Sequence, residues 1–178
     1  EEYKYLVGEG VYNLAKKALP EHLQNEETIN LIVAQMKEHY EKHWADNTVL
    51  YEGIPELLDY LTSKGYKMSI LSNKPHAFTK KIAHKLLDKW HFDVIFGERK
   101  PIPVKPDPTG ALEIASIMKI EPRDFLYLGD SSVDMYTANN AGMFAVGVTW
   151  GFRKKDELLN SGAKLIIDYP MEICTRLD

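Results

Sequence analysis

Asp130 and Asp134 stand four apart where the apolar run "FLYL" stops on Gly-Asp and a helical pattern begins, within "FLYLGDSSVDMYTANNAG". That spacing sets two carboxylates on one face of a helix start, beside the positive end of its dipole. They are hard oxygen donors of the type Mg²⁺ prefers, and Mg²⁺ is commonly held by one or two carboxylates with water and substrate oxygens. A second polar group, Ser72-Asn73, follows the apolar "MSIL" and offers a hydroxyl and backbone N–H groups at a helix entrance, a cradle for phosphate oxygens. A third is Lys105, a point cation in a loop stiffened by Pro103, Pro106 and Pro108. Together a cation site, a lysine and a hydroxyl suggest phosphoryl chemistry, in which charge stabilisation does most of the catalytic work.

Each feature also has a plain structural reading. Gly-Asp after a strand is often a turn with a helix cap, Ser72-Asn73 a capping pair, and a loop lysine a solvated charge. Order tips the balance. Ligands of open parallel sheets bind beyond the carboxyl ends of the strands, and these three groups follow separate strands of one series.

The elements that must position them come in two grammars. From about Gly10 to Trp44 the pattern is helical throughout, so residues 1–47 are expected to form a small all-helical domain. From about Val49 short apolar strands alternate with helices: "PELLDYLTSKG", "MSIL", a helix over 76–87, "FDVIFG", a helix over 109–118, "FLYL", the helix after Asp130, "FAVGV", "KDELLNSG" and "KLIID". That alternation predicts an α/β core over 48–178, a doubly wound parallel sheet of Rossmann-like type covered on both faces.

Taken in order, "ILSNKP", "VKPDP" and "LGDSSVDM" resemble the second, third and fourth motifs of the haloacid dehalogenase superfamily, over about Val49 to Asp168. "YLVGEGVYNLAKKAL" is similar to the helical cap of that superfamily's phosphoglycolate phosphatases, as is "SNKP" followed by "KPDP". The resemblance implies that Ser72 is the phosphate-binding hydroxyl, with Asn73 adding a contact, and that Lys105 orients the nucleophile and neutralises the phosphate. Asp130 becomes a direct Mg²⁺ ligand and Asp134 a supporting acid, direct or through water. Gly8 and Gly10 become the cap turn that faces the active site.

The expected activity is Mg²⁺-dependent hydrolysis of a small phosphorylated metabolite, phosphoglycolate first, through an aspartyl-phosphate intermediate. Alternatives are a sugar-phosphate mutase on the same scaffold, and an inactive member that binds without turnover. Dehalogenation needs no metal and would leave the two acids without a purpose.

One departure is plain. The family's first motif, Asp-x-Asp-x-Thr, is absent, and no Asp-x-Asp occurs in the 178 residues. That motif would supply the nucleophile and a central strand, without which two neighbouring strands would keep unpaired backbone groups. We therefore expect the native protein to continue upstream of Glu1 with that strand, the acidic motif and the first cap helix.

Bulk properties agree with this reading. A net charge of −4 argues against a dedicated nucleic-acid surface, and no stretch reaches the apolar length of a membrane span. The single cysteine, Cys174, fits a reducing, cytoplasmic setting, and is expected to be a packing residue. A monomer or homodimer is expected. His39 and His43 read as a solvated cap face, and Lys80, Lys81, Lys85 and Lys89 as the solvent face of a helix in the core. Phe78, Tyr136 and Trp150 could line a cleft or pack.

Overall fold

Five parallel strands are divided between two sheets in the computed structural model, which describes residues 6 and 10–177. The chain separates into two units, residues 1–49 and 50–178.

The first unit is helical. Helix α1 (Val11–Ala18) buries Ala15, and α2 (Glu26–His43) buries Ile29. Asn25 caps α2 by accepting the Thr28 N–H at 2.9 Å, the role its short amide suits. His39 and His43 lie on neighbouring turns with their rings 4.6 Å apart, and His43 bonds Asp46 on the exposed surface. Gly10 is the N-cap of α1 and has a φ of 89°, a conformation that favours glycine. Gly8 lies outside the described residues.

The second unit runs α3 (Ile54–Ser63), β1 (Ser69–Pro75), α4 (His76–Leu87), β2 (Val94–Glu98), α5 (Thr109–Met118), β3 (Leu126–Gly129), α6 (Ser132–Asn140), β4 (Phe144–Val148), α7 (Lys155–Asn160) and β5 (Leu165–Ile167). A 3₁₀ segment, Pro170–Arg176, follows. Strand β1 pairs with β2, while β3, β4 and β5 pair in that order, all in parallel. The strands are short and apolar because helices cover them, as a parallel sheet requires.

Among the described residues β1 and β3 share no ladder. Helix α5 ties the two sheets together: Ala111 and Ala115 pack with Met135, Ala138 and Ala145, while Ile114 and Met118 pack with Val94. Leu71 of β1 touches both groups. The small residues of α5 let it lie close, and Gly110 comes near enough to Leu71 that a Cβ would stand 3.1 Å from it. On the uncovered side Leu126 and Leu128 of β3 are 37% and 38% exposed, high for a strand inside an α/β core. The expected parallel α/β core is therefore present, divided between two sheets, with β1 and β3 each paired on one side only among the described residues.

Cys174 is buried with Ile173 beside Leu57 and Ile167, as a packing residue should be.

Candidate functional site

Four of the residues singled out by type converge on one network. Asn73, the buried residue near the end of β1, uses both ends of its amide on the backbone of Lys105. Its Nδ2 donates to the Lys105 carbonyl at 3.0 Å, and its Oδ1 accepts the Lys105 N–H at 2.8 Å. This two-point clamp fixes the proline-rich loop to the sheet. Lys105 Nζ then donates to Asp134 Oδ1 at 2.6 Å and to the Leu71 carbonyl at 3.2 Å. The lysine thus reaches from the β1 edge to α6. Ser72 lies beside the clamp, its Oγ accepting the Lys74 N–H at 3.1 Å. Ser72, Asn73 and Lys105 also line one small recess with Gly97 and Arg99. Arg99 itself is engaged, stacked on Phe96 and bonded to Glu113.

The Lys105–Asp134 pair is nearly sealed, with side chains 13% and 8% exposed. Burial alone would depress the lysine's pKa. Tyr127 and Asp134 outweigh it, and the ammonium is held above its ordinary value. Asp134 has a second partner, Ser131, whose Oγ donates to Oδ2 at 2.6 Å. Ser131 is the N-cap residue of α6 and Asp134 lies in its first turn, so the helix start supplies both members of that bond.

Asp130 is placed differently. Its Oδ2 accepts the Phe152 N–H at 2.9 Å, and it has no ion-pair partner among the described residues. Burial raises its pKa, opposed by the Phe152 N–H and Lys105 and reinforced by Asp134. The close backbone approach depends on glycine on both sides. A Cβ at Gly151 would stand 2.2 Å from Asp130 Oδ2, and one at Gly129 would stand 2.1 Å from the Asp134 Cβ. Neither position has room for a larger residue.

The divalent cation implied by the resemblance can be tested against this donor set. A half-buried carboxylate without an ion-pair partner among the described residues favours a bound cation, and Asp130 provides that; Asp134 already has both oxygens engaged. No group of three or more His, Cys, Asp or Glu able to hold a metal occurs among the described residues. The set therefore fits a Mg²⁺ ion that draws its remaining ligands from water, substrate and further carboxylate.

Sequence reasoning brought Ser72, Asn73, Lys105, Asp130 and Asp134 to one region. It missed Ser131, legible as the serine three before Asp134 at a helix start, and the Phe152 N–H, for which no residue type gives a signal. It also missed Tyr127, whose hydroxyl is buried beside the network without a hydrogen-bond partner. The aromatic candidates divide: Tyr136 is 47% exposed, Trp150 packs against the Val148–Ile173 cluster, and Phe78 is half-buried with Lys81 over its ring.

A parallel α/β core with polar side chains gathered beyond its strand ends belongs to the class of α/β proteins that bind ligands at the carboxyl ends of their strands. Within that class the chain belongs to the haloacid dehalogenase-like hydrolase family, whose profile matches residues 1–148. It is 32% identical over 152 residues to the phosphoglycolate phosphatase of Aquifex aeolicus, covering 83% of this chain and 67% of that protein. The similarity to phosphoglycolate phosphatase 1 of Pseudomonas aeruginosa is 28% over 174 residues, covering 94% of this chain and 63% of that protein. The chain thus spans about two thirds of the length of these relatives. A solved haloacid dehalogenase-like family protein from Streptococcus pneumoniae superimposes with a TM-score of 0.86 at 22% identity, covering 98% of this chain and 80% of that one, which shows the fold. No helix among the described residues is long and apolar enough to cross a membrane.

Proposed function

We propose that the protein is a Mg²⁺-dependent phosphatase acting on a small phosphorylated metabolite of the phosphoglycolate type. The observation that carries this is the clamp and ion pair that hold Lys105 beside Ser72, at the carboxyl end of β1. A tetrahedral dianion seated there would take the Ser72 hydroxyl, backbone N–H groups and the Lys105 ammonium. Asp130 would hold the metal, with Asp134 in support, and Mg²⁺ would neutralise phosphoryl charge when bound.

In this reading the nucleophile is a carboxylate on a strand upstream of this chain, pairing between the open edges of β1 and β3. Its oxygen attacks phosphorus, the P–O bond to the leaving alkoxide breaks, and water then hydrolyses the aspartyl phosphate. Lys105 would lie beside that carboxylate and offset the charge that builds on the phosphoryl oxygens. The helical unit of residues 1–49, with Gly8 and Gly10, would act as the cap that excludes water.

The names of the relatives support the phosphatase over the mutase reading. The two also separate in solution, because a mutase needs a bisphosphate activator and hydrolyses little. The test is hydrolysis of phosphoglycolate and a panel of phosphate monoesters by the protein with its upstream segment, with and without Mg²⁺. Metal-dependent turnover is expected; a protein that binds phosphate and never turns it over would replace this reading with the inactive-member one.

A further inference from the structure

Resting on that reading of the site, we propose that Tyr127 is a positioning residue for Lys105, its hydroxyl serving as the third anchor of the lysine ammonium. An ammonium has three N–H donors. Two are accounted for, on the Leu71 carbonyl at 3.2 Å and Asp134 Oδ1 at 2.6 Å. The third has no acceptor within full hydrogen-bond geometry among the described residues, and the Tyr127 hydroxyl is the group near enough to act on it.

Tyr127 lies in β3 two residues before Gly129, on the face that packs against the Ala111–Met135 cluster. Its Oη is the one buried side-chain polar atom without a hydrogen-bond partner among the described residues. An orphaned buried hydroxyl costs about 1–3 kcal/mol and is rare enough to need a reason. Here the reason is at hand: the phenol and the Lys105 ammonium each act on the other's ionisation, and burial pushes Tyr127 up to about 12. A phenol that stays protonated keeps its lone pairs for a cation and its proton for a carbonyl or carboxylate.

The geometry gives that hydroxyl a specific task. When a phosphoryl group or metal draws on Lys105 or Asp134, the ion pair loosens and Nζ loses its shortest bond. A lysine has a long flexible stem and needs a fixed point to stay aimed. Tyr127 Oη can accept an Nζ–H at that moment, on a rigid ring already held by the core. In the resting arrangement the phenol is already near enough to act on the ammonium without meeting full hydrogen-bond geometry, and that loose approach would tighten into a hydrogen bond in the working state.

The test is Tyr127→Phe, which removes one oxygen and keeps the packing. Two readouts are taken on the protein with its upstream segment. In hydrolysis, kcat should fall about tenfold, the scale of a hydrogen bond to a charged group, with KM within about twofold. In protein labelled with ¹⁵N-lysine, the Lys105 Nζ signal, assigned by its loss in Lys105→Arg, should move on addition of inorganic phosphate in the wild type and move differently in the variant. Unchanged kcat, or kcat and the unfolding midpoint falling together, would overturn the proposal and leave Tyr127 a packing residue. So would an identical Nζ response in both proteins. A wild type without phosphatase activity would sink the functional reading alone, and the Nζ response would then decide the role of Tyr127 by itself.

Discussion

At the scale of single residues the two acids have been given different work. Asp134 is locked to Lys105 and Ser131, whereas Asp130 keeps a carboxylate that burial disfavours. Asp130→Asn should therefore abolish Mg²⁺-dependent turnover and any Mg²⁺-induced rise in unfolding temperature, with the fold intact by circular dichroism. Near wild-type activity at saturating Mg²⁺ would remove it from the metal site. Lys105→Met leaves Asp134 buried without its cation, so it should both impair phosphate binding and destabilise the protein by about 3–5 kcal/mol in urea titrations. Gly129→Ala forces a methyl to within 2.1 Å of the Asp134 Cβ, and should cost about 1–3 kcal/mol through overpacking. Residue types and order made Ser72, Asn73, Lys105 and the acids legible in the sequence. Tyr127 was not, because inside "FLYL" a tyrosine reads as one more apolar strand residue until its hydroxyl is seen without a partner.

Elements whose ends coincide with a change of chemistry were read closely. Helices 76–87 and 109–118 and the strand 144–148 fall where the periodicity places them. Strand β1 runs further than its apolar stretch, through the polar Ser72–Pro75, because an irregular register lets Pro75 lie opposite Glu98. The 3₁₀ segment at 170–176 carries no helical period and is set up locally, by a capping box between Tyr169 and Glu172. A further element-scale joint is Asp59 of α3, which accepts from Trp90 Nε1 at 2.7 Å and from Lys89 Nζ at 2.8 Å. Bonds from Lys89 and Trp90 hold its pKa below the ordinary 3.8. The folded-state value is the lower one, so its contribution is present above the unfolded value and disappears as pH falls through the folded one. Asp59→Asn should lower the unfolding temperature at neutral pH and make the acid side of the stability profile, below about pH 4, less steep.

For the whole molecule, the parallel α/β class follows from the alternation of short apolar strands and helices, while the division into two sheets could be foreseen only from the missing acidic motif. In the proposed reading the site at the strand ends has no carboxylate among the described residues that is assigned to attack phosphorus. The 178-residue chain alone is accordingly expected to show no phosphatase turnover in a phosphate-release assay. Measurable Mg²⁺-dependent release would mean that a different residue serves as nucleophile and that the open edges have another purpose.

Those open edges also leave a mark on time. Backbone amides in a parallel strand point alternately to its two neighbours, so among the described residues β1 and β3 each have one row facing a partner strand and one row facing none. In deuterated water the two rows should separate: slow and fast exchange alternating residue by residue along each strand, in segments that lie deep within the chain. The Leu71 carbonyl is the exception on its edge, since the Lys105 ammonium occupies it as a neighbouring amide would. A lysine thus fills in for one rung of a ladder, and the exchange pattern around Leu71 would show how far one borrowed rung steadies a strand.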